Sequence, residues 1–176
     1  MTAPLPPASA FVLTTSDGSF HGARPDDSGA MLEARLTELG YSVERSLVPD
    51  DVDRIRDTLT GAAARHRLVL TTGGTGLTPR DVTPQATAAV IDYEVPGLAE
   101  TMRAEGRRST PMAALSRGIA GVRGRSLIVN LPGSPKGALE SLAAIEAVLP
   151  HALETLAGPF DHGRTEVASA VSDVAR

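Results

Sequence analysis

Residues 68–87 read LVLTTGGTGLTPRDVTPQAT. The apolar run at 68–70 is typical of a buried strand, and the glycines within 73–76 permit backbone conformations that side chains forbid. Thr83 followed by Pro84 predicts the N-cap and first position of a helix, because the hydroxyl can accept a bond from a free amide and proline has no amide hydrogen. The stretch therefore predicts a strand, a glycine-rich loop and a helix.

A loop of this kind is suited to binding phosphate. Backbone amides beside a helix N-terminus attract anions, and Asp81 lies close enough in sequence to hold the magnesium ion that accompanies phosphates. The loop lacks the Lys-Ser/Thr pair of a P-loop and the glycine spacing of a dinucleotide fingerprint. A simple tight turn is the alternative interpretation, so the loop alone does not decide the function.

Composition narrows the class of protein. The chain has 176 residues, of which 41% are hydrophobic and 22% charged, and this fits one globular domain. A net charge of −4 opposes a broad surface for nucleic acid or for an anionic membrane, and neither is an expected partner. Cysteine is absent, which excludes disulfides and thiolate metal sites. No secretory or membrane-spanning segment is indicated, so a cytoplasmic location is expected.

The first half of the chain alternates strand and helix. Residues 11–15 predict a strand that runs into the polar turn 16–19, and Ser28 is the predicted N-cap of the helix that follows. Residues 41–48 predict a second strand, and Asp50 or Asp51 then caps a helix that begins at Val52. This alternation is expected of parallel strands joined by right-handed crossovers.

The second half predicts a mixed sheet. A helix begins at Pro96 and stops at Gly106, and residues 119–122 and 126–131 then form a hairpin that brings an antiparallel strand into the sheet. Ser134 and Pro135 start a further helix, and Pro150 separates it from the last one. Residues 1–10 are expected to be a flexible arm, 11–158 a single domain and 159–176 a flexible tail.

Four separated stretches share a pattern with a known family. They are 72–84 (TGGTGLTPRDVTP), 95–103 (VPGLAETMR), 114–117 (ALSR) and 129–136 (VNLPGSPK). In this order and spacing they closely resemble the molybdenum-cofactor biosynthesis family of the MogA/MoaB type, which also supplies the amino-terminal domain of gephyrin. One departure is Gly18, since relatives often carry arginine after the Ser-Asp pair at 16 and 17.

The resemblance implies a three-layer α/β/α fold with a mostly parallel sheet and an antiparallel edge hairpin, similar to a molybdopterin-binding domain. It further implies a homotrimer or an assembly of trimers, and a molybdenum insertase as a candidate partner. In the active branch of the family, ATP and Mg²⁺ are used to adenylylate the terminal phosphate of molybdopterin, with release of pyrophosphate. The other branch includes members without this activity.

The same resemblance assigns site residues, each of which has a plainer alternative. Asp50 and Asp81 are the predicted catalytic residues and Mg²⁺ ligands, although either carboxylate could serve only the start of the next helix. The predicted molybdopterin, phosphate or nucleotide contacts are Ser16, Asp17, Gly73, Gly74, Thr75, Gly76, Ser116, Arg117, Pro132, Gly133 and Ser134. Their alternatives are ordinary turns, helix caps and surface groups.

Three functions remain open on the sequence alone. The first is a molybdopterin adenylyltransferase. The second is a non-catalytic molybdopterin-binding or assembly module with the same pocket. The third is an unrelated phosphate-sensing α/β domain, which would bind ATP well but not the pterin.

Overall fold

Strands and helices alternate along residues 9–158, the part of the chain that the computed structural model describes. The strands are β1 (Ser9–Thr15), β2 (Ser42–Val48), β3 (Leu68–Thr72), β4 (Tyr93–Glu94), β5 (Ala120–Arg123) and β6 (Ser126–Leu131). The α-helices are α1 (Asp17–Phe20), α2 (Asp27–Glu38), α3 (Val52–Arg65), α4 (Thr83–Ala88), α5 (Pro96–Ser109), α6 (Pro135–Ile145) and α7 (Leu149–Ala157). Short 3-10 helices follow α5 (Pro111–Leu115) and α6 (Glu146–Val148).

The strands form one sheet in the order β2-β1-β3-β6-β5-β4. The first four strands in this order are parallel, whereas β5 runs antiparallel to β6 and β4 antiparallel to β5. The mixed sheet and the β5–β6 hairpin confirm the prediction. The outermost strand was not predicted, because β4 has only two residues and so carries no periodic pattern.

Alternation along the strands divides the core into two clusters, one on each face of the sheet. On β1, Ala10 and Val12 face the cluster that contains residues of α2, α5, α6 and α7. Phe11 and Leu13 face the cluster built with α3 and α4. Each fully buried leucine in these clusters contributes roughly 1.5–3 kcal/mol relative to an exposed one. The three-layer prediction is therefore confirmed.

Two predicted N-caps were wrong by one or two residues. Asp26, not Ser28, caps α2, and its carboxylate accepts a 2.9 Å bond from the Gly29 amide. Thr83 is the first residue of α4 rather than its cap, because its hydroxyl is hydrogen-bonded to that of Thr15 at 2.9 Å. At α2 the nearby carboxylate of Asp26 is the better acceptor for the free amide. At α4 the contact with Thr15 engages the hydroxyl that was predicted to cap the helix.

Other predicted boundaries also moved. The polar turn after β1 is the short helix α1, which Ser16 caps by accepting a bond from the Ser19 amide. Helix α5 continues past Gly106 to Ser109, and the lack of a side chain at Gly106 lets Ala113 approach the helix closely. The break between the last two helices lies at Glu146–Val148, so Pro150 falls inside the first turn of α7.

The first strand begins inside the predicted arm. Ser9 and Ala10, assigned to the arm by the sequence, belong to β1. The rest of the predicted arm and the predicted tail lie outside the described residues. Across residues 9–158 no helix combines the length and apolar character needed to cross a membrane.

The glycine loop yields a test of the packing. Gly73 has φ of 100°, and a Cβ there would lie 2.2 Å from the Thr15 carbonyl oxygen. Gly40 has φ of 90° but nothing within 4 Å of a Cβ. Gly40→Ala should lower the free energy of unfolding by about 1–2 kcal/mol from backbone strain. Gly73→Ala should lower the free energy of unfolding by about 1–3 kcal/mol more, because the added Cβ collides with the Thr15 carbonyl oxygen. Urea unfolding would measure both, and equal losses would contradict the packing argument.

Candidate functional site

The parallel strands deliver polar residues to one edge of the sheet. Ser16 follows β1, Asp50 follows β2, Gly73 follows β3 and Pro132 follows β6. The carboxyl ends of parallel strands meet at the same edge of the sheet. The strand order reverses between β1 and β3, because β2 and β3 lie on opposite sides of β1. Open α/β sheets bind ligands at such a point. The predicted site residues therefore converge from distant parts of the sequence.

A cavity of about 610 Å³, here called the polar cavity, lies at this edge. The charged residues that line it are Asp27, Asp50, Asp81 and Arg24. The predicted residues that line it are Ser16, Asp50, Gly73, Gly74, Thr75, Gly76, Asp81, Gly133 and Ser134.

A second cavity of about 440 Å³, here called the apolar cavity, adjoins the first. Its walls include Ala99 and Met102 of α5 and Met112 of the following 3-10 helix. The predicted residues Ser116 and Pro132 line this cavity rather than the polar one. Thr75, Gly76 and Ser134 line both cavities, so two loops separate them. A more apolar cavity and a more polar cavity therefore lie side by side.

Asp17 and Asp50 hold each other in place. The amide of Asp17 donates to the Asp50 carboxylate, and the amide of Asp50 donates to the Asp17 carboxylate, both at 3.0 Å. Arg80, from the loop after β3, also donates to Asp17 at 2.9 Å. The hydrogen bond from Arg80, followed by that from the Asp50 amide, holds the pKa of Asp17 below its usual range. Asp17 lines neither cavity, and its contacts position Asp50.

Asp50 is a half-buried carboxylate that helix capping does not explain. Asp51 caps α3 instead, by accepting a 2.9 Å bond from the Arg54 amide. Burial, together with the nearby charges of Asp17 and Asp81, raises the pKa of Asp50 above its usual range. A carboxylate that is destabilised in this way gains most from a bound cation.

Asp81 has the opposite electrostatics. Its carboxylate accepts bonds from the Thr78 amide at 2.8 Å and the Thr78 hydroxyl at 2.7 Å. Burial alone would raise the pKa of Asp81, but these bonds outweigh burial and leave the pKa below its usual range. A Cβ at Gly76 would lie 3.0 Å from this carboxylate, so Gly76 serves close approach rather than a positive φ.

Arg117 supports the glycine loop. Its Nε donates to the Gly76 carbonyl at 2.7 Å, and its guanidinium also donates to the Asp81 carbonyl. The Arg117 amide bonds the Thr75 carbonyl at 2.9 Å. Arg117 lines neither cavity. These bonds position the glycine loop, and the ligand contact of Arg117 stays a prediction.

The loop after β6 packs against the glycine loop. A Cβ at Gly133 would lie 3.1 Å from the Gly73 Cα, and the Thr72 hydroxyl donates to the Pro132 carbonyl at 2.7 Å. Ser134 caps α6 by accepting a bond from the Gly137 amide at 3.2 Å. The positive end of the α6 dipole thus lies beside the polar cavity, where it favours an anion.

Three lining residues escaped the sequence analysis. Arg24 belongs to an irregular loop, and no pattern predicted its place in the polar cavity. Arg103 ends the 95–103 motif but was not predicted as a site residue, yet it lines the apolar cavity and donates to the Gly118 carbonyl at 2.9 Å. Asn130, buried in β6, bonds the hydroxyls of Thr71 and Thr87 at 3.0 and 2.9 Å. A polar residue within an apolar strand could have marked this position as a buried hydrogen-bonding site.

The site fits magnesium only if a substrate completes the coordination. Within residues 9–158 there is no group of three or more His, Cys, Asp or Glu side chains able to hold a metal ion. Asp50 and Asp81 supply carboxylate oxygens, which are hard ligands. Mg²⁺ commonly binds one or two carboxylates together with substrate phosphates, and this donor set matches that habit.

Comparison with protein families gives a match over residues 11–151 to the model described as "Probable molybdopterin binding domain". This chain belongs to the molybdopterin-binding domain family. The matched residues include the lining of both cavities, with Asp50 and Asp81, and the family agrees with the one predicted from the four motifs.

Relatives of known name agree with this family. The chain is 38% identical to a molybdopterin adenylyltransferase of Helicobacter pylori (strain J99) over 85% of this chain and 88% of that protein. It is 42% identical over 82% of its length to the Drosophila melanogaster molybdenum cofactor synthesis protein cinnamon, of which it spans only 25%. A solved structure of the molybdopterin biosynthesis enzyme MoaB from Thermus thermophilus has a TM-score of 0.81 and 52% identity, and the alignment covers 88% of this chain and 99% of that one.

The opposite pKa shifts of the two aspartates predict opposite effects on stability. The raised pKa of Asp50 means that its ionisation weakens the fold as the pH rises through that pKa. The lowered pKa of Asp81 means that its ionisation stabilises the fold above the unfolded pKa, and that this is lost as the pH falls through the folded pKa. At pH 7, Asp50→Asn should therefore keep or raise the free energy of unfolding, and Asp81→Asn should lower it.

Urea unfolding of both variants at several pH values would check this. The gap between the two variants should narrow as the pH is lowered through the range in which these carboxyls protonate. A gap of the same size at pH 7 and at acid pH would contradict the electrostatic explanation.

Proposed function

We propose that this protein is a molybdopterin adenylyltransferase that uses Mg-ATP and releases pyrophosphate. The observation that carries the proposal is the convergence of Asp50 and Asp81 in a polar cavity that adjoins an apolar one. A reaction that joins two phosphate-bearing, ring-containing substrates needs such a pair of compartments. The Helicobacter pylori relative of similar length bears the name of this activity.

The reaction joins an oxygen of the terminal phosphate of molybdopterin to the α-phosphorus of ATP. The bond from that phosphorus to the bridging oxygen of the β-phosphate breaks, and pyrophosphate leaves with the electron pair. Both substrates are anionic, so the protein has to align them and compensate their charge. The glycine loop 73–76 and the N-terminus of α6 supply donors for phosphate oxygens.

Asp50 and Asp81 would hold the magnesium ion, which supplies neutralisation of phosphate charge when bound. The charged side chains lining the polar cavity are three carboxylates and one guanidinium. A polyphosphate would be repelled by this set, and a divalent cation removes the repulsion. Asp17 and Arg80 keep Asp50 in position, and Arg117 does the same for the loop that carries Asp81.

Assembly and location belong to the same proposal. We expect a homotrimer or an assembly of trimers that works in the cytoplasm and passes its product to a molybdenum insertase. Arg107 and Arg108, at the end of α5, are candidates for a subunit boundary. Arg108 is exposed and paired only with Glu105 of its own helix at 3.1 Å among the described residues, so it is accessible to a second chain.

Turnover with molybdopterin and Mg-ATP tests the activity directly. Purified protein should form adenylylated molybdopterin and pyrophosphate, and Asp50→Asn and Asp81→Asn should each reduce kcat by about 100-fold or more, because charge compensation is lost. Asp51→Asn is the matched control. It makes the same chemical change at the neighbouring residue, outside the polar cavity, and asparagine caps helices as well as aspartate does.

The alternatives correspond to distinct results. Tight binding of molybdopterin without turnover would replace the enzyme by a binding or assembly module. Binding of ATP without binding of molybdopterin would favour a phosphate-sensing domain. Unchanged turnover of folded Asp81→Asn at limiting Mg²⁺ would refute the role of Asp81.

Light scattering at low micromolar concentration tests the assembly. The expected mass is three times the chain mass of 18.2 kDa, or a multiple of that trimer. Closed rotational symmetry would let neighbouring subunits stabilise or complete each site. A monomer with full activity would show that trimerisation is not needed.

A further inference from the structure

Arg24 is the one cationic side chain among the described residues that line the polar cavity. It lies in the exposed loop between α1 and α2, and its Nη2 donates to the hydroxyl of Ser16 at 2.8 Å. Ser16 is 5% exposed and directly follows β1. Arg24 forms no ion pair with any residue from 9 to 158, although three carboxylates line the same cavity. Its charge therefore has no partner of opposite sign in the described structure.

The glycine at position 18 makes room for this arginine. A Cβ there would lie 3.1 Å from Nε of Arg24, 3.5 Å from its Cδ and 3.6 Å from its Cγ. The amide of Ala23 donates to the Gly18 carbonyl at 2.8 Å, which turns the loop back so that Arg24 crosses α1. Gly18 does not have a positive φ, so open space rather than backbone conformation is what its lack of a side chain provides.

The surroundings of the guanidinium are suited to an anion. The amino end of α2, at Asp27 and Ser28, and that of α6, at Ser134 and Pro135, also line the polar cavity. A guanidinium can donate two parallel hydrogen bonds to one phosphate, and a neutral hydroxyl such as that of Ser16 leaves its charge available. Asp27, Asp50 and Asp81 are the acidic residues that line the same cavity.

We propose that Arg24 binds a phosphate group of a substrate in the polar cavity, where its side chain packs against the open side of Gly18. The inference rests on the proposed function, because it takes the cavity to be the phosphate site of the reaction. It adds a binding residue that lies outside the four motifs.

Calorimetric titration with Mg-ATP, and separately with molybdopterin, tests the assignment. Arg24→Ala should weaken one of these ligands by about tenfold, as expected when a charge-assisted hydrogen bond is lost. Arg24→Lys, which keeps the charge but not the planar fork, should lose less. The ligand that is weakened identifies which phosphate Arg24 contacts. Arg56→Ala removes the same charge from α3, outside the cavity, and should leave both affinities unchanged.

Two variants at position 18 separate binding from general structure. Gly18→Leu retains Arg24 but fills the space that its stem crosses, and should weaken the same ligand as Arg24→Ala does. Gly18→Arg combined with Arg24→Ala should recover part of the affinity. The new arginine stands at the residue that contacts the Arg24 side chain, so it restores a guanidinium near the same place. Circular dichroism and the melting temperature would establish that each variant is folded.

The outcomes distinguish the two proposals. Wild-type protein that binds neither ligand overturns the proposed function, and the assignment of Arg24 with it. Wild-type protein that binds both ligands, with Arg24→Ala binding them equally well, overturns only the assignment. If Arg24→Ala and Arg56→Ala lose the same affinity, the loss is an effect of net charge, and the assignment of Arg24 is overturned.

Discussion

The glycine loop lies directly on the end of the neighbouring strand, and the geometry of the site depends on this contact. At Gly73 the backbone comes so close to the Thr15 carbonyl that no side chain fits between them. Thr15 is also tied to α4 through the hydroxyl of Thr83. These contacts join the end of β1, the loop after β3 and the start of α4. Thr15, Gly73 and Gly74 from this group line the polar cavity, together with Asp50, Asp81 and Ser134.

Asp50 and Asp81 differ in their electrostatics at this edge. Burial and the charges of two neighbouring carboxylates raise the pKa of Asp50, whose amide donates to the Asp17 carboxylate that Arg80 stabilises. Asp81, in contrast, is stabilised by its own loop. The two carboxylates are thus not equivalent. Asp81 belongs to the local structure of its loop, whereas Asp50 is held in place by Asp17, which is distant in sequence.

The sequence predicted the fold well where periodic patterns were long. The alternation of strands and helices, the hairpin and the Ser134 cap all follow from local rules, and the family motifs implied the layers. Caps failed where side chains had partners elsewhere, as Thr83 does in Thr15. The choice between Asp50 and Asp51 as a cap needed backbone geometry. Arg24 could not have been found, because it belongs to an irregular loop that carries no periodicity, and its place beside Gly18 is a tertiary contact.

The shared wall between the two cavities has a thermodynamic consequence. Thr75, Gly76 and Ser134 line both compartments, so a movement of any of them would change the shape of both. If a ligand in one compartment moves this wall, the affinity of the other compartment changes, and linkage requires the effect to be equal in both directions. The dissociation constant of the second ligand would then change by the same factor in either order of binding. Such a coupling would operate within a single domain.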